Sequence, residues 1–213
     1  MVHVSTNIYW KQLRDSIEKL EVELAYTEFP KPTQQMCEFL VAGEDHRFYL
    51  HPGVDPIALC RAAWKTCLCG SRQGASTIAM QLVRTTIGCY EQTLRRKLIE
   101  IYLAVRLSNH VSKDKLPILY LWVAYYGWRM NDYQQACTRL EIDPRTANAL
   151  EAAKLVARLK YPEPKRFNAE RSKAIHRRAL HLMTLANRKY IAPNALTGGL
   201  NWNHSSISRH LKG

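Results

Sequence analysis

Titratable and aromatic side chains are concentrated between residues 43 and 55, a segment in which Pro52 and Gly53 predict a turn. Residues 36–42 before it are apolar and predict a helix, so Glu44 and Asp45 fall at the C-terminal end of that helix. Negative charge at this end opposes the helix dipole and costs roughly 0.3–1 kcal/mol. A charged loop solvated by water is the simple interpretation. The alternative is that a function requires these carboxylates.

A second carboxylate that could take part in a reaction is Glu100, on a helix predicted from about Glu91 to Ser108. Apolar residues follow it at helical spacing, and a second apolar stripe covers another side of the helix. The stripe that follows Glu100 consists of Leu103, Ala104 and Leu107. The other stripe consists of Leu94, Leu98, Ile101, Tyr102 and Val105. We therefore expect both faces to be mostly buried and Glu100 to lie in the interior. A buried carboxylate needs partners, and Arg96 or Lys97 could form an internal salt bridge. Paired carboxylates beside basic residues also build phosphate and metal sites.

A third candidate is the small-residue loop at residues 70–77, which precedes a helix predicted to open at Ser76 or Thr77. Free N–H groups at a helix start can bind an anion. Arg72 precedes this helix start, and Gln81 and Arg84 follow it. The loop therefore predicts an anion-binding turn, although many loops before helices resemble it.

Helices are expected to position these groups. Further helices are predicted from Asn7 to Tyr26, from about Gln34, from Ile57 to about Cys69, from Leu116 to Tyr126, from Ala147 to Lys160 and from Arg171 to Lys189. Asp55 is the predicted N-cap of the third segment, with Pro56 at its first position. That segment is amphipathic, which fits either core packing or contact with a membrane interface. The tail after Ile191 is expected to be loosely held.

Composition limits the class of protein. The chain has 213 residues, 46% of them hydrophobic and 23% charged, which suits one domain or two joined lobes and argues against disorder. A net charge of +13 predicts a polyanionic partner. No apolar run is long enough to cross a bilayer, and residues 1–11 do not resemble a secretory signal. The six cysteines lack zinc-finger spacing and are interpreted as buried or free thiols.

Three motifs, in order, resemble the peptidoglycan glycosyltransferase domain of class A penicillin-binding proteins and their monofunctional relatives, glycosyltransferase family 51. The first motif, Glu-Asp-x-x-Phe-x-x-His-x-Gly, is matched by Glu44, Asp45, Phe48, His51 and Gly53. The second is matched by Gly74, Ala75, Ser76, Thr77, Ile78, Gln81 and Arg84, and the third by Arg96, Lys97 and Glu100. The resemblance covers about residues 29–185.

This resemblance implies a mostly α-helical fold, with a lysozyme-like lobe and a smaller membrane-apposed jaw. It implies the polymerisation of lipid II, with Glu44 as general base. Glu100 would be the second essential carboxylate and a possible ligand of a divalent ion, Mg²⁺ or Mn²⁺. Substrate or pyrophosphate contacts would come from Asp45, Phe48, His51, Ser76, Thr77, Gln81, Arg84, Arg96 and Lys97. The expected partners are lipid II, nascent glycan strands and an anionic membrane surface, at the outer face of the cytoplasmic membrane or in the periplasm.

The sequence departs from the family pattern at several positions. Met80, Thr85, Ser108 and Trp122 replace usual residues, residues 128–133 hardly match the fourth motif, and no N-terminal membrane anchor is predicted. Two alternatives stay open: a non-catalytic or toxin-like binder of lipid II or anionic lipid, and a lysozyme-like hydrolase. A nucleic-acid binder is disfavoured because no known motif for it occurs. The expected organisation is a lead-in helix at 1–28, the catalytic domain at 29–190 with its jaw at about 55–73, and a tail at 191–213.

Overall fold

The computed structural model describes residues 2–69, 74–88, 90–91 and 93–191. Within these ranges the chain forms α-helices and one 3₁₀-helix, and the only β-structure is a pair of isolated bridges at Gly127. The helices are α1 (Val2–Tyr26), α2 (Gln34–Glu44), the 3₁₀-helix (Phe48–Leu50), α3 (Pro56–Cys69), α4 (Ile78–Ile87), α5 (Leu94–His110), α6 (Lys115–Val123), α7 (Tyr133–Arg139), α8 (Ala149–Ala157) and α9 (Ala169–Ile191). The predicted mostly α-helical fold is confirmed.

Side-chain caps fix where the helices near the candidate site begin. Thr77 caps α4 by accepting from the backbone N–H of Met80 at 3.3 Å, so the helix start predicted at Ser76 or Thr77 is confirmed. Asp55 caps α3, as predicted, by accepting from the N–H groups of Ile57 and Ala58 at 3.0 and 3.2 Å. Burial alone would raise the pKa of Asp55. The two N–H groups and the Arg47 guanidinium outweigh it, and the pKa is lowered.

The hydrophobic core lies between α4 and the helices around it. Helix α4 packs against α1, α5 and α6, while α2 packs mainly against α8 and α9. Residues without solvent exposure include Leu13 and Ile17 of α1, Leu40 of α2, Met80 of α4 and Leu103 of α5. This packing holds α2, α4 and α5, the three helices that carry the sequence motifs, in fixed positions relative to one another.

One sequence-based expectation about α5 is wrong. Leu94, Leu98 and Tyr102 are 86%, 68% and 41% exposed, so the face they share is not buried as its apolar character suggested. The opposite face of α5, with Glu100, Leu103, Ala104 and Leu107, packs into the core as expected. On α3, Ile57 and Trp64 are also exposed. Helical periodicity identified both stripes on α5 but could not determine which one meets a neighbouring helix.

Some expectations fall outside the described residues or stay predictions. The loop at 70–73, with Arg72, and the tail from 192 onward are not described. The division into a lead-in helix, a catalytic domain and a jaw stays a prediction.

Helix α7 was not predicted, because its seven residues are mostly polar. It begins where Asp132 accepts from the N–H of Gln135 at 2.8 Å. Among the described residues, no helix is long and apolar enough to span a membrane.

Candidate functional site

Asp45 joins the end of α2 to the start of α4. Its Oδ1 lies 2.9 Å from Nε2 of His51, and its Oδ2 accepts from the backbone N–H of Ile78 at 3.2 Å. Asp45 and His51 are each 5% exposed. With Nε2 donating to Asp45, the buried Nδ1 of His51 has no partner among the described residues. The carboxylate therefore acts as a bracket between two helices rather than as a group open to substrate.

The side chain of Lys113 holds the backbone of the segment that follows Asp45. Its Nζ donates to the backbone carbonyls of Phe48 and His51 and lies 5.0 Å from the centre of the Phe48 ring. Burial lowers the pKa of Lys113, and the nearby Asp45 carboxylate partly opposes that shift. Phe48 is 1% exposed, so it packs in the core instead of facing a ligand.

Gly53 closes this segment at a position where only glycine fits. Its φ is +94°, and a Cβ there would lie 2.5 Å from both the carbonyl oxygen of Ala104 and Oγ of Ser108. The hydroxyl of Thr77 donates to the Gly53 carbonyl at 2.5 Å. The turn predicted from Pro52 and Gly53 is therefore fastened to both α4 and α5.

Glu44, the last residue of α2, is the most accessible carboxylate of the first motif, with 23% of its side chain exposed. Its Oε1 lies 2.9 Å from Nη2 of Arg178, and its Oε2 accepts from Nε2 of Gln81 at 3.4 Å. The same Arg178 nitrogen donates to the Gly43 carbonyl at 2.8 Å. A Cβ at Gly43 would lie 2.9 Å from that nitrogen and 2.2 Å from Leu182, so glycine permits the close approach of α2 and α9.

Glu100 lies in a different environment, 3% exposed and bound by two cations of its own helix. Its Oε2 accepts from Nη1 of Arg96, and its Oε1 lies 2.9 Å from Nζ of Lys97. Lys97 also donates to the Ser76 hydroxyl at 3.0 Å, which ties α5 to the turn before α4. Burial lowers the pKa of Lys97 despite the Glu100 partner, and the Arg96 and Arg84 charges act in the same direction. The predicted buried position and salt bridges of Glu100 are confirmed.

A cavity of about 190 Å³ adjoins Glu100 between α4, α5 and α1. The charged and hydroxyl-bearing residues that line it are Arg84, Arg95, Arg96, Glu91, Glu100, Tyr9, Tyr90 and Thr93. Glu100 is paired with Arg96, so Arg84 and Arg95 face the single carboxylate of Glu91 and the cavity is cationic.

Helix α4 connects the surroundings of the two glutamates. Gln81 contacts Glu44, and Arg84, one turn later on the same face, lines the cavity beside Glu100. Buried Tyr120 is close enough to Glu44 and Arg84 for both charges to act on its hydroxyl. Burial raises its pKa, the Glu44 charge raises it further, and the Arg84 charge opposes the shift. Two adjacent turns of α4 therefore lie near the two glutamates, one turn near Glu44 and the next near Glu100.

The predicted site residues divide into two groups. Asp45, Phe48, His51 and Thr77 are at most 5% exposed and hold the backbone in place. More open to ligand are Glu44, Ser76, Arg84, Arg96 and Lys97, with Gln81 at the border between the groups.

Two groups were not identified from the sequence as part of this site. Arg178 lies in the helix predicted from Arg171 to Lys189, and no sequence signal distinguishes it from the other arginines of that helix. Lys113 contacts the carbonyls of Phe48 and His51, which are far from it in the sequence, so no local pattern indicates its role.

A resident metal ion does not fit the residues present. Both oxygens of Glu100 already accept hydrogen bonds from cations, and the cavity beside it is lined by three arginines. Among the residues that the structure describes, no group of three or more His, Cys, Asp or Glu side chains is placed to hold a metal.

The fold and the site define a helical domain with one accessible and one buried carboxylate in a basic environment. A family model described as Transglycosylase matches residues 13–186. The chain belongs to the transglycosylase family, as the sequence motifs indicated.

Named relatives agree with this assignment. Penicillin-binding protein 1A of Vibrio cholerae is 34% identical over 178 residues, which are 82% of this chain and 21% of that protein. The protein of the same name from Aquifex aeolicus is 31% identical over 179 residues, 83% of this chain and 24% of its own. The one from Escherichia coli is 40% identical over 113 residues, 53% of this chain and 13% of its own. The chain thus spans at most about a quarter of the length of these relatives.

Proposed function

We propose that this chain is a peptidoglycan glycosyltransferase that polymerises lipid II. The 4-hydroxyl of an acceptor sugar attacks the anomeric carbon of a donor, whose bond to the lipid-linked diphosphate breaks as the β-1,4 bond forms. The hydroxyl proton passes to a carboxylate, and the bonding electrons leave with the diphosphate. Such a reaction needs a base on one side and cations on the other.

The observation that supports this proposal most is the difference between the two glutamates. Glu44 is partly exposed, and Gln81 and Arg178 orient its carboxylate without covering it, so it suits the role of base. Glu100 is buried and holds Arg96 and Lys97 at fixed positions beside the cationic cavity. A departing diphosphate would meet cations that are already oriented, which reduces the reorganisation needed at the moment of reaction.

A lysozyme-like hydrolase is less well supported. It needs one carboxyl group that is protonated and able to donate its proton to the leaving sugar. Both glutamates accept hydrogen bonds from Arg178, Arg96 or Lys97, so neither carboxyl group is placed to face a leaving sugar as a free donor. The arginines of the cavity would have no role in that reaction.

Contact with an anionic membrane surface is part of the proposal, and it places the chain at the cell envelope. The exposed apolar side chains Leu94 and Leu98 of α5 and Trp64 of α3 support it, because each is flanked in sequence by Lys or Arg. Sedimentation with anionic vesicles tests it. We expect Leu98→Glu to reduce the bound fraction while Val22→Glu, a similarly exposed position on α1, does not. Equal binding of both variants and the wild type would contradict membrane contact through α5.

The function is tested by incubating the protein with labelled lipid II in detergent and separating the products by gel electrophoresis. We expect polymer from the wild type and from Glu38→Gln, a partly exposed position on the same helix as Glu44. We expect at least about a hundredfold less from Glu44→Gln. Absence of polymer from the wild type would favour the non-catalytic binder. Release of sugar fragments from purified cell walls would favour the hydrolase.

A further inference from the structure

Helix α1 contributes to the wall of the cationic cavity through Tyr9, which lines it together with Arg84 and Arg96. The segment that matches the transglycosylase family begins at residue 13, so Tyr9 lies outside it. The family match therefore gives this residue no role. Its position beside Glu100 comes from the fold of this chain alone.

The position of Tyr9 is fixed by the residues next to it on α1. The Arg106 guanidinium lies 4.3 Å from the centre of the Trp10 ring, and the His110 ring meets that indole edge-on at 5.6 Å. Leu13 and Ile17, on the following turns, have no solvent exposure. Contacts of this kind hold the helix against α4 and α5, so they keep Tyr9 in the cavity wall.

The cavity has a donor that lacks an acceptor. Nε of Arg96 is buried without a hydrogen-bond partner among the described residues. Arg84 and Arg95 add two further guanidinium groups. A volume of about 190 Å³ is large enough to admit one or two phosphate groups.

We propose that Tyr9 is a specificity residue for the diphosphate group, and that its hydroxyl donates a hydrogen bond to a phosphate oxygen held by Arg84 and Arg96. This inference rests on the proposed function, because the diphosphate would be the leaving group of that reaction. Arg84 and Arg95 supply guanidinium donors beside Arg96, so the cavity offers cations for a second phosphate group. We therefore expect a diphosphate to bind more tightly than a single phosphate.

Calorimetric titration with inorganic pyrophosphate and with inorganic phosphate tests the proposal. We expect the wild type to bind pyrophosphate more tightly than phosphate. We expect Tyr9→Phe, which keeps the ring and loses only the hydroxyl, to bind pyrophosphate about tenfold or more weakly. Tyr26→Phe is the matched control, since Tyr26 lies on the same helix and is 84% exposed, and it should bind like the wild type. Thermal unfolding of all three proteins checks that the fold is kept.

Two results would overturn the role of Tyr9: unchanged pyrophosphate binding in Tyr9→Phe, or no pyrophosphate binding by the wild type. Lipid II polymerisation measured on the same proteins separates this inference from the proposed function. A wild type that polymerises lipid II while Tyr9→Phe retains its KM would refute the inference alone. A wild type that binds pyrophosphate through Tyr9 but makes no polymer would refute the proposed function alone.

Discussion

Replacement of Asp45 by alanine removes an acceptor shared by two helices and should destabilise the fold strongly. The carboxylate is 5% exposed and serves both Nε2 of His51 and the N–H of Ile78. Each donor left unpaired in a buried place costs about 1–3 kcal/mol. The substitution also removes a carboxylate charge from a buried place, which is favourable and offsets part of that cost. We therefore expect the free energy of unfolding to fall by about 2–4 kcal/mol. In a chain of this size the midpoint of thermal unfolding should then fall by roughly 5–15 °C.

Urea denaturation followed by circular dichroism measures this loss directly. Asp45→Asn is a useful partner variant, because its amide oxygen can still accept from Ile78 and its loss should be smaller. Asp15→Ala is the control, since Asp15 forms an exposed surface pair with Arg14 and should change stability by less than about 1 kcal/mol. A loss for Asp45→Ala as small as that of Asp15→Ala would refute the view that Asp45 is a structural bracket.

Three further predictions concern Arg178, Asp55 and the reactivity of the cysteines. Arg178→Ala should lower the turnover number of lipid II polymerisation about tenfold or more, because Arg178 helps to orient Glu44. Arg177→Ala, at an exposed neighbouring position, should leave it unchanged, and equal kinetics of the two variants would contradict the role of Arg178. The pKa of Asp55 is lowered in the folded protein, so its ionised carboxylate stabilises the fold. This stabilisation is fully present above the ordinary aspartate pKa of about 4, and it is lost as the pH falls through the lowered value. The stability advantage of the wild type over Asp55→Asn should therefore be constant near neutral pH and shrink in acid, and an advantage that grows in acid would contradict this. Exposed Cys60 should react with iodoacetamide before Cys37, whose pKa burial raises to about 12, and peptide mass spectrometry that finds the reverse order would refute the buried position of Cys37.

Local signals predicted much of the architecture correctly. Helical spacing identified Glu100 as an interior residue, and the neighbouring Arg96 and Lys97 were the expected partners, because residues three or four apart on a helix share a face. The N-cap at Asp55 and the helix start at Thr77 followed from side-chain chemistry within three residues. Each of these features depends on atoms close together in the chain.

Features that depend on distant segments could not be predicted in this way. Arg178 is 134 residues from Glu44, and nothing in the basic pattern of α9 indicates which of its arginines faces α2. The exposed stripe with Leu94 and Leu98 has the same periodicity as a buried one, so only the packing of α5 distinguishes them. Tyr9 contributes to the cavity only because α1 docks against α4 and α5.

Steady-state kinetics of Glu44→Gln and Glu100→Gln with lipid II test the central claim most directly, namely that the two glutamates have different roles. For Glu44→Gln we predict a turnover number lower by about 10²–10⁴-fold with KM little changed, because the base acts only in the chemical step. For Glu100→Gln we predict a lower turnover number and a higher KM, because Arg96 and Lys97 lose the carboxylate that orients them toward the diphosphate. A Glu44→Gln variant that polymerises lipid II at the wild-type rate would contradict the account.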